Sequence, residues 1–191
     1  MQTGDYVSLS DETLANLGIS TADVVDGIED AVRAEARGAL WTAPKSALLP
    51  GDGRYMMTTL ATADDPRITV VKSVMVSPSN PNRGLDSIQG AIILQDSETG
   101  QLRAVMDARW VTAVRTAGLS GVVARRMANP ESSRVAFIGC GVQARSHLDA
   151  IAIDITLKTV TISRFQPYLR PAHRAGIWLS MKAPVSRVVI L

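Results

Sequence analysis

Residues 134–147 place an apolar strand, a glycine-rich turn and a helix start in immediate succession, Arg134-Val-Ala-Phe-Ile-Gly-Cys-Gly-Val-Gln-Ala-Arg-Ser-His147. Gly139, Gly141 and Ala144 fall in the spacing G-x-G-x-x-A, which holds a dinucleotide pyrophosphate against backbone amides. Gly139 allows the tight reversal, Gly141 removes the Cβ that would keep a phosphate away, and Ala144 lets the helix lie close to the sheet. The helix that starts at Val142 adds N–H groups and a positive dipole end. The competing reading is an ordinary strand-to-helix turn. The unbroken apolar run Val135–Ile138 favours the nucleotide site, because it predicts a strand covered on both faces. Two cations stand out upstream. In Arg67-Ile-Thr-Val-Val-Lys-Ser-Val-Met-Val76, alternation puts Lys72 in one row with Ile68, Val70, Val74 and Val76. An ammonium there is costly without a negative partner, so Lys72 is a candidate to bind a substrate carboxylate or polarise a carbonyl or imine. The alternative is a lysine whose stem packs while its head reaches solvent. Arg115, in Thr112-Ala-Val-Arg-Thr-Ala-Gly118, could clamp a carboxylate with its planar fork, or be an ordinary solvated helix arginine.

The elements that carry these residues can be read from periodicity. Ser10-Asp-Glu-Thr13 and Ser20-Thr-Ala-Asp23 have capping character, and Val24, Val25, Ile28, Ala31, Val32 and Ala36 recur at helical spacing up to Gly38. Strands are predicted over 55–61, 67–76, 88–95 and 102–107, with a hairpin at Asp96-Ser-Glu-Thr-Gly100. A helix follows over 110–128, dense in Ala113, Ala117, Gly118, Ser120, Gly121 and Ala124, small residues that let it approach a neighbour closely. The expected fold is an α+β domain with a mostly antiparallel sheet over 1–110, a connecting helix over 111–130, and the start of an α/β Rossmann domain over 131–164. With 20 basic and 18 acidic residues the net charge is only +2, which argues against a nucleic-acid surface. No stretch suggests a membrane span or a signal peptide, so a cytoplasmic location is expected. A single cysteine excludes an internal disulfide, and two isolated histidines give no metal spacing. Cys140 and His147 are read as structural, and Met56, Met57 and Met75 as core filler.

Asn82-Arg-Gly-Leu-Asp-Ser-Ile-Gln-Gly90, Leu94-Gln-Asp-Ser-Glu-Thr-Gly100, Thr112-Ala-Val-Arg-Thr-Ala-Gly118 and Ile138-Gly-Cys-Gly-Val-Gln-Ala144 together resemble the ornithine cyclodeaminase/μ-crystallin family, in order from about residue 8 to residue 164. The resemblance implies a substrate and dimerisation domain followed by a Rossmann domain, usually in a homodimer. It also implies hydride exchange between a nicotinamide cofactor, NAD(P), and the Cα of an amino acid or imine. In a cyclodeaminase, L-ornithine is oxidised, ammonia leaves as the ring closes, and the returned hydride gives L-proline; relatives reduce ketimines or oxidise amino acids. By motif, Lys72 matches the lysine beside the reacting substrate and Arg115 the arginine on its carboxylate. Lys45, in Ala43-Pro-Lys-Ser46, stands where the family often has an arginine, keeping the charge and losing the fork. Ser87 keeps a hydroxyl where threonine is common, and Gly139, Gly141, Val142, Gln143 and Ala144 match the cofactor turn.

The second Rossmann strand, Thr159-Val-Thr-Ile-Ser163, runs into Arg164 without an acidic residue for a ribose 2′-hydroxyl, which leans the expected cofactor towards NADP(H). The family's Rossmann domain continues much further, and its acidic residue for ring closure has no counterpart in this sequence. Residues 165–191 hold three prolines and no clean helix-then-strand order, so we expect an atypical tail, from a frameshift, a premature stop or a divergent terminus. With only two parallel strands expected, three functions stay open: a family enzyme, a ligand binder without turnover, or an inactive, truncated dimerising fragment.

Overall fold

Residues 6–163, and 187–190 as backbone, are described by the computed structural model. The chain opens with β1 (Val7–Leu9), α1 (Asp11–Ala15) and α2 (Thr21–Ala36). Ser10 caps α1 by accepting the Thr13 N–H at 3.1 Å. Ser20 and Asp23 cap α2 reciprocally: the Ser20 hydroxyl accepts the Asp23 N–H at 3.1 Å, and the Asp23 carboxylate accepts the Ser20 N–H at 2.8 Å. Gly38, at φ +70°, turns the chain out of α2 as expected.

The sheet strands follow as β2 (Leu40–Thr42), β3 (Ser46–Leu48), β4 (Tyr55–Asp64), β5 (Arg67–Val76), β6 (Ile88–Gln95) and β7 (Leu102–Asp107). They stand in the order β1-β7-β6-β5-β4-β2, with β3 also on β4; only β1 and β7 run parallel. This is the mostly antiparallel sheet that the sequence predicts. The core-face row of β5 and β6 packs Val74 and Ile92 on Ala108, with Met57, Val70, Ile88, Met106 and Val111 around them. The long strands match their predicted spans except that β4 continues to Asp64. The three-residue strands β1, β2 and β3 are too short to show alternation and went unpredicted.

The helix α3 (Ala108–Met127) begins two residues earlier than predicted, because the Asp107 carboxylate accepts the Arg109 N–H at 2.8 Å and starts the helix there. Then come β8 (Arg134–Ile138), α4 (Val142–Ile151), β9 (Thr159–Ser163) and β10 (Arg187–Ile190). The described residues divide into two compact units. One comprises residues up to Ile19 and Asp30–Thr112; the other comprises Ser20–Glu29 and residues from Ala113 onward.

Two expectations for the second unit need correction. Its sheet has three parallel strands, in the order β10-β9-β8, where two were expected. The short run Arg-Val-Val-Ile at 187–190 is the third, and the prolines ahead of it had obscured it. Among the described residues, β8 is also covered on one face only. Val135 and Phe137 turn towards Leu148 of α4 and pair with Val160 and Ile162, whereas Ala136 and Ile138 are exposed, Ile138 by 81%. Residues 164–186 lie outside the described residues.

Candidate functional site

In the first unit, pairing makes Lys72 the centre of a cross-strand row. It lies opposite Thr59 on β4 and Ile92 on β6, between Val70 and Val74 along its own strand. Lys72 is 7% exposed, and Val70, Val74 and Ile92 all belong to the apolar core. The period-two reading of this strand therefore holds: the ammonium is on the buried face, not snorkelling to solvent.

Lys45 is exposed and precedes β3. Ala43 donates its N–H to the Leu60 carbonyl at 2.9 Å, and Ser46 pairs with Thr58, so the Lys45 backbone stands beside Thr59. Thr59 is the residue opposite Lys72, which puts the two lysines level across the sheet, about two strand spacings or 10 Å apart at the backbone. This alignment depends on β3, a strand that alternation does not reveal.

Ser87 is half-buried and ends the loop into β6. Its carbonyl accepts the Ser77 N–H at 2.8 Å, so it sits five residues along the β5 register from Lys72, roughly 16 Å at the usual rise. The segment before it is tied by the Asn80 side-chain amide, which donates to the Asp86 carbonyl at 3.0 Å. Arg109, missed in the sequence, reaches the Asp86 carboxylate at 2.9 Å while its Nε and Nη2 bond Asp107 at 3.1–3.2 Å. The three carboxylates of Asp107, Asp86 and Asp11 hold the Arg109 guanidinium in its charged form. Nothing in local spacing would have joined Asp86 to Arg109.

In the second unit, Arg115 lies on α3 and is half-buried. Its Nε is buried with no hydrogen-bond partner among the described residues, and burial pulls its pKa below the usual arginine value. A solvated surface arginine would show neither property. The small residues of α3 do what their density suggests. A Cβ on Gly118 would come within 3.0 Å of Val24, and one on Gly121 within 2.7 Å of Val25.

The glycine turn joins the end of β8 to the start of α4. Gly139 has φ +105°, a conformation that favours glycine. Gly141 is the N-cap of α4 in extended conformation, and a Cβ there would meet no atom within 4 Å. Packing thus does not demand a glycine at 141, whereas a phosphate drawn against the backbone would. The first bond of α4 runs from the Arg145 N–H to the Gly141 carbonyl at 3.4 Å, so the amides of Val142, Gln143 and Ala144 precede it and point out of the helix start. Ser163 closes β9 opposite Ile138, at the strand ends where the turn begins; Arg164 lies outside the described residues. Cys140 packs against the apolar cluster under α4, and the His147 ring bonds the Gln143 carbonyl at 2.6 Å. No helix among the described residues is long and apolar enough to cross a membrane.

A model of the ornithine cyclodeaminase/mu-crystallin family matches residues 7–179. An alanine dehydrogenase of Archaeoglobus fulgidus is 36% identical over 145 residues, covering 75% of this chain and 43% of that protein. Among solved structures, the Δ1-pyrroline-2-carboxylate reductase of Thermococcus litoralis, in complex with NADH and L-proline, superposes with a TM-score of 0.84 at 25% identity, over 96% of this chain and 57% of the other. An archaeal alanine dehydrogenase dimer with bound NAD gives a TM-score of 0.77 at 31% identity, over 83% of this chain and 48% of the other. The chain therefore spans about half the length of the relatives it matches.

Proposed function

The chain belongs to the ornithine cyclodeaminase/mu-crystallin family, and on that footing we propose that it serves a nicotinamide-dinucleotide enzyme acting at the Cα of an α-amino acid or its imine. The observation that carries the reading is the turn from Gly139 to Ala144, with its left-handed glycine, its open Gly141 and its outward amides at the start of α4. These groups hold the pyrophosphate. The nicotinamide, when bound, exchanges a hydride with the substrate Cα. The choice between NAD and NADP is read from the sequence, where Ser163-Arg164 brings a hydroxyl and a cation and no acid; this favours the 2′-phosphate of NADP(H).

Four residues carry the groups proposed for the amino acid. Lys72, an ammonium on an apolar face, favours electron density on a carbonyl or imine nitrogen and can hold or donate a proton at Nζ. Lys45, level with it across β4, adds positive charge for a carboxylate, and Ser87, which the family resemblance sets near both substrate and nicotinamide, adds a hydroxyl that orients the substrate. Arg115, whose buried Nε lacks a partner among the described residues, is the bidentate carboxylate clamp. The net reaction depends on the substrate. Reduction of an imine consumes one hydride and one proton. Cyclisation of a diamino acid takes the hydride off, expels ammonia on ring closure and puts the hydride back. In this reading two copies of the chain associate through the sheet of the first unit.

The test is to supply NADH or NADPH with Δ1-pyrroline-2-carboxylate, or with pyruvate and ammonia, and NAD with L-ornithine or L-alanine, following nucleotide absorbance and ammonia. Turnover of at least one pair is expected. Lys72→Met should lower it by about 10²-fold or more while nucleotide binding persists, as for loss of a positioned acid. No turnover with any pair, or full turnover by the variant, contradicts the assignment.

A further inference from the structure

We infer that Arg109 is a positioning residue, setting the placement of the Ser87 hydroxyl through Asp86. The inference rests on the proposed role of Ser87 at the substrate. Two of the acids around Arg109 serve the helix start it occupies. Asp107 precedes it and caps α3, and Asp11 accepts the Trp110 N–H at 2.7 Å, with an oxygen 3.9 Å from Arg109 Nη2. Asp86 comes from elsewhere, the extended stretch between the 3-10 turn (Asn80–Arg83) and β6, and it is joined directly to Ser87.

The guanidinium fork explains why one residue can do this. Nε and Nη2 lie along the Asp107 carboxylate, which fixes the plane of the group, and Nη1 is left to meet Asp86 Oδ2 at 2.9 Å. On the β5 side the same stretch is fixed through its backbone. Asn80, 6% exposed, donates to the Asp86 carbonyl, the Leu85 N–H donates to the Asn80 carbonyl at 3.1 Å, and the Ser77 N–H donates to the Ser87 carbonyl. Arg109 supplies the tie on the α3 side. The Asp86 side chain is 67% exposed, so its ion pair adds little to stability. Its consequence is directional, because a side-chain hydroxyl that meets the substrate must be held to a fraction of an ångström.

The test is a double-mutant cycle on the full chain, with Asp86→Ala and Ser87→Ala singly and together. It reads the affinity for L-proline and L-alanine in the presence of NADH by calorimetry, and kcat and KM under turnover. Asp86 is varied rather than Arg109, whose loss would also release the start of α3. With Ser87 present, Asp86→Ala should weaken the tighter-binding amino acid about fivefold, the size of coupling between neighbouring residues. Asp86→Glu should restore most of that loss, and in the Ser87→Ala background Asp86→Ala should cost nothing more. Additive losses overturn the positioning role and leave Ser87 as a substrate contact. An unchanged affinity in Ser87→Ala overturns both roles. If the unmodified chain binds neither amino acid with NADH, the proposed function fails and the inference fails with it.

Discussion

Arg115 shows how a side chain can be judged by what surrounds it. Its Nε is buried without a partner and its pKa is drawn down by burial, so the fold bears a desolvation cost that nothing among the described residues offsets. Arg115→Met should therefore leave the melting temperature unchanged or raise it, while increasing KM for the amino acid more than tenfold, roughly the worth of a charge-assisted bond. A structural arginine would show a lower melting temperature and an unchanged KM. The two cations differed in how legible they were. Lys72 could be placed on the buried face from the sequence, because a strand's period of two leaves only two faces to choose between. For Arg115 the spacing fitted a clamp and a solvated helix arginine equally well, and only its burial separates them. Arg109 was invisible, since its partner Asp86 is 23 residues away and joined to it by the sheet.

Among the elements, the two long helices are the most informative, since a glycine in α3 and one in α2 make opposite predictions. A methyl at Gly121 would fall 2.7 Å from a Val25 methyl and 3.1 Å from the Ala150 carbonyl, so Gly121→Ala should destabilise the protein by about 1–3 kcal/mol as overpacking. Gly27 lies inside α2 with nothing within 4 Å of that position, so Gly27→Ala should stabilise by about 0.5–1 kcal/mol. Chemical denaturation decides both. The hairpin between β6 and β7 has its own signature. Arg103 above all, then the Thr99 N–H and hydroxyl, holds the Asp96 carboxyl well below its ordinary value of 3.8. A depressed folded-state pKa gives stability that is present at neutral pH and fades as pH falls below that ordinary value. The stability gap between the native chain and Asp96→Asn should accordingly narrow on acidification; a gap that widened would contradict the assignment. Long strands, caps and the Gly38 terminator were legible because each repeats a local rule. The short strands β1–β3 and β10 were not, because neighbours rather than their own pattern define them.

At the scale of the molecule, the first unit carries a second apolar row on the sheet face opposite its core. Leu60, Val71, Ile93 and Val105 are successive cross-strand partners on β4, β5, β6 and β7, with Leu60 and Ile93 exposed by 44% and 38%. A second copy of the chain would bury such a row. Sedimentation should then find dimers for the native chain and monomers for the Leu60→Glu, Ile93→Glu double variant; a monomeric native chain would refute the dimer. The family could be read from four motifs, but the third parallel strand could not, because its four residues follow a stretch without helical or strand pattern. The central claim is that the turn from Gly139 to Ala144 holds a nicotinamide dinucleotide. Calorimetric titration of the chain with NADH and with NADPH tests it most directly, beside Gly141→Val, whose side chain would fill the space the phosphates need. Saturable binding of at least one dinucleotide is expected, and this substitution should abolish it. Absence of binding up to about 1 mM, equivalent to only about 4 kcal/mol, or undiminished binding by the variant, would contradict it.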